Sequence, residues 1–137
     1  MRSFFRLSTM FAAIAGCAFS AASALAQKFP EKAVRVIVPF APGGSVDAVM
    51  RFLGPSFQEQ TGQQLLVENR PGGDGVIGSE QVARAVPDGH TLVVANASSH
   101  TANFHLMKNL PYHPLNDFTP IVGAVESITC LVVNAAL

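Results

Sequence analysis

Short apolar runs alternate with amphipathic segments along the middle of the chain. Residues 33–40, 65–68 and 91–95 are rich in apolar side chains and are too short for stable helices, which predicts three strands. Apolar residues recur at helical spacing from Ser45 onward and again over residues 76–85, which predicts two helices between these strands. This alternation predicts an α/β fold with a mostly parallel sheet flanked by helices.

Other segments interrupt or follow this pattern. We expect Gly54 and Pro55 to kink or split the first helix and Gly62 to end it. The polar stretch 96–109 predicts a loop that leads into a short helix. Two further apolar runs follow at residues 121–125 and 128–133, and the second predicts a buried strand.

The N-terminal residues 1–26 have the pattern of a secretory signal peptide. Arg2 and Arg6 precede an apolar stretch, and small residues lead up to Ala26, after which we expect cleavage. An uncleaved anchor helix is one alternative, although the stretch is short against the roughly 20 apolar residues of a membrane span. In another alternative the residues up to Cys17 act as a lipobox, and the exported protein is a lipoprotein anchored at that cysteine.

The charge balance argues against a nucleic-acid partner. The whole chain has nine basic and nine acidic residues, and 49% of its residues are apolar, as expected for a compact domain. Removing residues 1–26 leaves seven basic against nine acidic residues, a formal charge of −2, so no basic surface is expected. Cys130 is then a single cysteine, which excludes an internal disulfide.

Three loops follow the predicted strands, at residues 41–47, 69–78 and 96–101. In open α/β sheets, ligands bind beyond the carboxyl ends of the strands, where the N-termini of helices also point. These three loops are therefore the segments in which we expect a binding site.

The first of these loops is suited to an anion. Gly43 and Gly44 let the backbone approach a ligand closely, and Ser45 begins a helix whose free N–H groups favour a negative charge. A side chain at Gly44 is expected to block that approach and to force an unfavourable φ. Asp47, in the first turn, would compete with an anionic ligand for the helix dipole. Two interpretations of Asp47 are open: it braces the loop, or it bonds a ligand amine or hydroxyl.

The second loop contains a glycine pattern that resembles a dinucleotide-binding fingerprint. Gly73, Gly75 and Gly78 fit G-x-G-x-x-G after a predicted strand and before a predicted helix. The fingerprint also requires an acidic residue about 20 positions on, at the end of the next strand. That strand ends in Ala95 and Asn96. A structural glycine turn is therefore favoured, with a nucleotide-binding α/β enzyme as the alternative.

Motifs for other chemistries are missing or incomplete. The P-loop, H-E-x-x-H, C-x-x-C and G-x-S-x-G patterns do not occur in the sequence. Ser98, Ser99 and His100 are adjacent, but adjacency does not define a catalytic triad. His100, His105 and His113 are spaced irregularly for a metal site. We therefore expect no catalytic residues, no metal and no cofactor.

The motifs, taken in order, resemble those of one family. They are VIVPFAPGG at residues 36–44 with Asp47 three positions on, VENRPGG at 67–73, PDG at 87–89 and LPY at 110–112. Over residues 29–133 the chain resembles the Bug-type periplasmic substrate-binding receptors of tripartite tricarboxylate transporters. One departure is His113, which stands where the family often has Asp.

The resemblance implies a two-lobed, Venus-flytrap binding protein of type II, located in the periplasm and without enzymatic activity. Such a receptor binds a small organic acid, namely a di- or tricarboxylate, an amino acid or an aromatic acid, and hands it to membrane permease subunits. Residues 27–137 would form its N-terminal α/β lobe, because family members continue through a second lobe. The chain is then a fragment, with an inactive truncated remnant as the alternative, and we expect it to be marginally stable alone.

The resemblance also implies which residues hold the ligand. In the family, the loops after the first and third strands bind a ligand carboxylate, largely through backbone groups and bound waters. Carried over to this sequence, the ligand-binding residues are Ala41, Gly43, Gly44, Ser45, Asp47, Ala97, Ser98 and His100. The second loop is then a recurring family loop in which Arg70 is structural.

Overall fold

The computed structural model describes residues 29–126, 132 and 134–135. The helices, strands and turns follow in the order β1 Val34–Val38, α1 Ser45–Thr61, β2 Leu65–Asn69, a 3₁₀ turn Gly73–Gly75, α2 Val76–Ala83, β3 Thr91–Val93, a π-helical turn Ser98–Ala102 and α3 Asn103–Leu106. The expected signal peptide, Cys17 and Cys130 lie outside the described residues.

The three strands form a parallel sheet in the order β2-β1-β3. In the register of the sheet, Val36 of β1 lies beside Val67 of β2 on one side and Leu92 of β3 on the other. Parallel neighbours need a crossover between them, and α1 and α2 provide the two crossovers. The predicted α/β fold with a parallel sheet is confirmed.

The central strand β1 is buried on both faces. Val36 and Val38 form the core with Met50 of α1, and Ile37, which points to the opposite face, has no exposed surface. α2 contacts both β1 and β3. Burial on both faces explains why the sequence of this strand is continuously apolar apart from Arg35 and shows little alternation.

Helix α1 runs without a break, so of the predicted kink or split at Gly54 and Pro55 the split is wrong. Pro55 removes only one backbone hydrogen bond, and the turns before it are anchored on the sheet through Met50. The helix stops at Gly62, which adopts the left-handed conformation with φ 76°.

The segments after β3 agree with the sequence only in part. The π-helical turn and α3 fall within residues 96–109, where a loop and a short helix are predicted. The apolar run 121–125 has no helix or strand in the structure, and its large side chains are exposed. Of the predicted strand 128–133, only residue 132 is among those described. None of the described helices is both long and apolar enough to cross a membrane.

The departure at His113 has a physical explanation. His113 Nδ1 accepts hydrogen bonds from the backbone N–H groups of Leu115 and Asn116, each at 3.2 Å. Asp117 closes the turn, because its N–H donates to the His113 carbonyl at 3.1 Å and its Oδ2 accepts from the His113 N–H at 2.7 Å. Accepting from the first free N–H groups of a turn is what an Asp side chain does at a helix start. The imidazole therefore takes the place of the carboxylate.

We expect His113→Ala to lower the free energy of unfolding by about 1 kcal/mol, the usual cost of losing such a cap. His113→Asp should retain most of the stability, because a carboxylate accepts from the same two N–H groups. Urea denaturation of the three proteins at neutral pH measures the difference. Equal losses in the two variants would show that the cap is not what His113 contributes.

Candidate ligand-binding site

The strand order puts the expected ligand crevice between the carboxyl ends of β1 and β3. The chain passes from β1 to β2 on one side and then crosses to β3 on the other side of β1. Loops that leave two neighbouring strands in opposite directions open a gap between them, which is where open α/β sheets bind ligands. The eight predicted ligand-binding residues all follow β1 or β3, in the two loops that border this gap, in the first turn of α1 and in the π-helical turn.

The three predicted loops meet at Gly75. A Cβ placed on this glycine would lie 2.9 Å from Ser99 Cβ, which belongs to the loop after β3. The same Cβ would lie 3.6 Å from Phe40 Cζ and 3.6 Å from Pro39 Cβ, at the end of β1. Because no side chain separates these groups, the loops after β1 and β3 lie close together.

The glycine pattern of the second loop serves internal packing. A Cβ on Gly78 would lie 2.8 Å from Pro39 Cβ and 3.1 Å from the Arg70 carbonyl oxygen, and both Gly75 and Gly78 are buried. In a dinucleotide site such glycines leave room for the pyrophosphate instead. This loop also follows β2, which does not border the crevice. The geometry supports the structural interpretation of the pattern.

The corner after β1, defined as residues 40–45, presents unpaired backbone donors. The first hydrogen bond inside α1 runs from the Ala48 N–H to the Gly44 carbonyl at 3.0 Å, and no side chain caps the helix. Within the described residues, the N–H groups of Ser45, Val46 and Asp47 therefore have no acceptor. Residues 41–45 are exposed, so a ligand can reach this end of the helix.

The Asp47 carboxylate is turned into the protein and braces the corner. Its Oδ2 accepts from the Gly43 N–H at 2.9 Å and from Arg51 Nε at 3.0 Å, and the residue is only 4% exposed. The bond from Arg51, followed by that from Gly43, lowers the pKa of Asp47 to about 2. Of the two interpretations open for Asp47, the structure shows the bracing contact.

The strained glycine in the corner is Gly43, not Gly44. Gly43 has φ 82°, whereas Gly44 has φ −75° and ψ 170°, a conformation open to any residue. A Cβ on Gly44 would lie 3.6 Å from the Ala41 carbonyl oxygen, an ordinary contact. The expectation of an unfavourable φ at Gly44 is therefore wrong, because the left-handed residue is one position earlier.

The loop after β3 is held by Asn96 and Ser99. Asn96 Oδ1 accepts from Ser98 Oγ at 2.9 Å and from the Ser99 N–H at 3.0 Å. Tyr112 donates its hydroxyl proton to the Ser99 carbonyl, and Ser99 is fully buried. Ala97 is exposed and Ser98 is half-buried, so these two residues face the open side of the loop.

His100 packs into an aromatic cluster behind the loop. Its ring lies 4.8 Å from Phe118 and 5.6 Å from Tyr112, measured between centroids, and its Nδ1 lies 2.9 Å from Ser99 Oγ. Burial lowers the pKa of His100, which favours the neutral ring. Its Nε2 is buried without a hydrogen-bond partner among the described residues.

Comparison with known proteins identifies the family of this chain. The family model described as tripartite tricarboxylate transporter family receptor, TctC, matches residues 37–137. The chain belongs to this family. It is 40% identical over 107 residues to a UPF0065 protein from the tcbD-tcbE intergenic region of Pseudomonas sp. strain P51, covering 78% of this chain and 32% of that protein. It is 37% identical over 129 residues to BugT of Bordetella pertussis, covering 93% and 39%.

Solved structures of periplasmic binding proteins share the fold. The chain matches BugD with a TM-score of 0.64 and 42% identity, covering 68% of this chain and 31% of that one. It matches MatC from Rhodopseudomonas palustris, solved with bound malate, with a TM-score of 0.64 and 42% identity, covering 67% and 31%. The prediction of a periplasmic-binding-protein-like α/β fold is confirmed. This TctC-family chain spans about a third of the length of the curated relatives it matches.

The predicted site residues did not include two residues beside the corner, Asn69 and Arg51. Asn69, at the end of β2, donates from Nδ2 to the Phe40 carbonyl at 3.2 Å and accepts from Arg51 Nη2 at 3.1 Å. Arg51 follows Asp47 by four residues on α1, a spacing that puts both side chains on one helix face and is visible in the sequence. Nothing in the sequence indicates that Asn69 reaches Phe40. Within the described ranges, no three His, Cys, Asp or Glu side chains cluster as a metal site would require.

The bracing by Asp47 should make stability depend on acid pH. The pKa of Asp47 is lowered by folding, so its contribution is complete above its ordinary value of 3.8 and disappears as the pH falls to about 2. We expect Asp47→Asn to be less stable than the parent above pH 3.8, with a difference that shrinks below it. Urea denaturation between pH 2 and pH 7 measures this, with ~0.5 pH steps.

Glu59→Gln is the charge-matched control for this experiment, since Glu59 is exposed on the same helix and has no side-chain partner among the described residues. The same acid-dependent difference in both variants would mean that the effect comes from the charge of α1 and not from the bracing contact.

The two corner glycines should respond differently to alanine. We expect Gly43→Ala to lower the free energy of unfolding by roughly 1–2 kcal/mol, because a Cβ disfavours its left-handed conformation. Gly44→Ala should be neutral or slightly stabilising, by up to about 1 kcal/mol, because its φ suits alanine. Chemical denaturation of the two variants measures the difference in their free energies of unfolding. A larger loss in Gly44→Ala than in Gly43→Ala would show that Gly43 is not the strained glycine.

Proposed function

We propose that this chain is the N-terminal lobe of an extracytoplasmic solute receptor that binds a small organic carboxylate and delivers it to membrane permease subunits of a tripartite tricarboxylate-type transporter. The protein acts as a non-enzymatic binding protein in the periplasm. The proposed ligand-binding residues are Ala41, Gly43, Gly44 and Ser45 of the corner and Ala97, Ser98 and His100 of the loop after β3, and Asp47 braces the corner.

The unpaired N–H groups at the start of α1 carry this proposal. They lie at the exposed end of a 17-residue helix and beside the crevice between β1 and β3. A helix N-terminus has a partial positive charge, and free N–H groups there bind anions. A carboxylate is an anion of a size that two or three such donors can hold. Malate, which is bound in the related MatC structure, is an acid of this kind.

The corner alone does not account for tight binding. Two or three charge-assisted hydrogen bonds contribute roughly 1.5–3 kcal/mol each. Micromolar affinity requires about 8 kcal/mol. The loop after β3 and a second lobe facing the crevice would provide the remaining contacts. The proposal of a second lobe is supported by the relatives, which are about three times as long as the matched region.

Residues 1–26 are proposed to direct export as a cleaved signal peptide, with lipidation of Cys17 as the alternative. Both routes deliver the chain to the periplasmic side of the membrane. The N-terminal sequence of the mature protein, determined by mass spectrometry, separates them: Gln27 is expected first, and a lipidated Cys17 would replace this assignment.

A nucleotide-binding enzyme is the second candidate function, and the described geometry disfavours it. The glycines that would approach a pyrophosphate, Gly75 and Gly78, are buried against Pro39, Arg70 and Ser99. A side chain there would collide with the protein itself, so these glycines have a sufficient structural reason. An inactive truncated remnant is the third candidate. Binding of an organic acid by the 137-residue chain would exclude it.

Binding should be tested by calorimetry on protein made from the complete reading frame. We expect heat of binding with malate or another di- or tricarboxylate and none with NAD. Gly44→Val should weaken carboxylate binding by at least about tenfold, because its side chain occupies the approach to the α1 N–H groups without straining the backbone.

Gly54→Ala is the matched control for this substitution. Gly54 lies within the same helix, and a Cβ placed there meets no atom within 4 Å. It should bind carboxylates as the parent does. Binding of NAD without any response to organic acids would replace the receptor by the nucleotide-binding enzyme, and unchanged affinity in Gly44→Val would remove the corner from the site.

A further inference from the structure

A carboxylate site at the start of α1 faces an electrostatic difficulty. Asp47 lies in the first turn of the helix, where its negative charge would normally oppose a second anion at the same N–H groups. Its carboxylate is nearly buried and is therefore poorly screened by water. Something must cancel this charge if the corner is to accept an anionic ligand.

The guanidinium of Arg51 lies where that cancellation is needed. Arg51 Nε donates to Asp47 Oδ2 at 3.0 Å, while the backbone N–H of Gly43 donates to the same oxygen. The side chain of Arg51 is 54% exposed, whereas that of Asp47 is 5% exposed, so the arginine covers the acid from the solvent side. The pair has no net charge at the helix start.

The same guanidinium connects Asp47 to the far end of the corner. Arg51 Nη2 donates to Asn69 Oδ1 at 3.1 Å, and Asn69 Nδ2 donates to the Phe40 carbonyl at 3.2 Å. The Phe40 carbonyl and the Gly43 N–H are therefore held through one continuous set of hydrogen bonds. Between them lie only Ala41 and Pro42, so the set holds the first half of the corner at both Phe40 and Gly43.

We propose that Arg51, supported by Asn69, is a positioning residue for the carboxylate site: it cancels the charge of Asp47 and holds the corner at Phe40 and Gly43, so that the α1 N–H groups are open to an anion. This inference rests on the proposed function, since it assigns a role in carboxylate binding. It extends the site to two residues that do not touch the ligand.

An ordinary ion pair on a helix surface offers the competing explanation. Pairs four residues apart on an exposed helix face contribute little and leave distant sites unchanged. Glu80 on α2 forms such a pair with Arg84, the residue that directly follows the helix, with Arg84 Nη2 2.6 Å from Glu80 Oε1. Arg84 is therefore the matched control for Arg51.

The first test is a charge rescue in the protein from the complete reading frame, with malate as the probe. Arg51→Gln should weaken malate binding by about tenfold, because Asp47 then opposes the anion. Adding Asp47→Asn to this variant should restore affinity to within about threefold of the parent, because the opposing charge is gone. Arg84→Gln should bind malate as the parent does. Additive losses in the double variant, or unchanged affinity in Arg51→Gln, would overturn the inference.

A second measurement needs no ligand. Hydrogen exchange of the Gly43 amide should accelerate by about tenfold in Arg51→Gln and in Asn69→Ala, and not in Arg84→Gln, because only the first two release the corner. Arg51→Lys keeps the positive charge but lacks the planar guanidinium that bonds both Asp47 and Asn69. This variant should therefore bind malate more tightly than Arg51→Gln, while its Gly43 amide should still exchange faster than in the parent.

The two measurements separate this inference from the proposed function. If the parent binds no organic acid while Gly43 exchange responds as expected, the carboxylate assignment fails and the hold of Arg51 on the corner stands. If the parent binds malate while Arg51→Gln changes neither affinity nor exchange, the carboxylate assignment stands and the role of Arg51 fails.

Discussion

Burial of β1 on both faces is the constraint on which the rest of the structure depends. Ile37 and Val38 have no exposed surface, so the strand must lie between two neighbours and beneath helices. Its carboxyl end then emerges in the middle of the sheet edge, with the ends of β2 and β3 on either side. Pro39 directly follows the last residue of the strand and is fully buried. The exposed residues of the corner begin at Ala41. The position of the candidate site follows from the place of this one strand.

Close packing around Pro39 explains a motif that otherwise points to another function. Gly75 meets both Pro39 and Ser99, so a side chain there would separate the loops after β1 and β3, and a side chain at Gly78 would collide with Pro39. A dinucleotide site uses glycine for the same property, the absence of a Cβ, but places the ligand in the space that results. Here the protein itself fills that space. The pattern of glycines is common to both cases, and only the neighbouring atoms distinguish them.

The contacts of Asp47 at the corner make this acid compatible with the proposed anion site. Asp47 directs its carboxylate to the Gly43 N–H and to Arg51 and leaves the first N–H groups of α1 unpaired. The bonds that lower the pKa of Asp47 also hold the backbone of the corner. Asn69 extends this support to the neighbouring strand. Charge and backbone shape are therefore set by the same few contacts.

The sequence by itself determined the α/β class, the order of strands and helices, and the end of α1 at Gly62, because hydrophobic spacing and glycine conformation are local properties. The ordered motifs also indicated the family and the loop at residues 41–47 as part of the site. Tertiary structure decided the rest. Packing of Met50 on the sheet keeps α1 continuous through Pro55. Which of the two corner glycines is left-handed, and which side chains hold the corner, depend on contacts such as Asn69 with Phe40, 29 residues apart in the chain. Such contacts leave no periodic trace in a sequence, because they exist only once the strands are side by side.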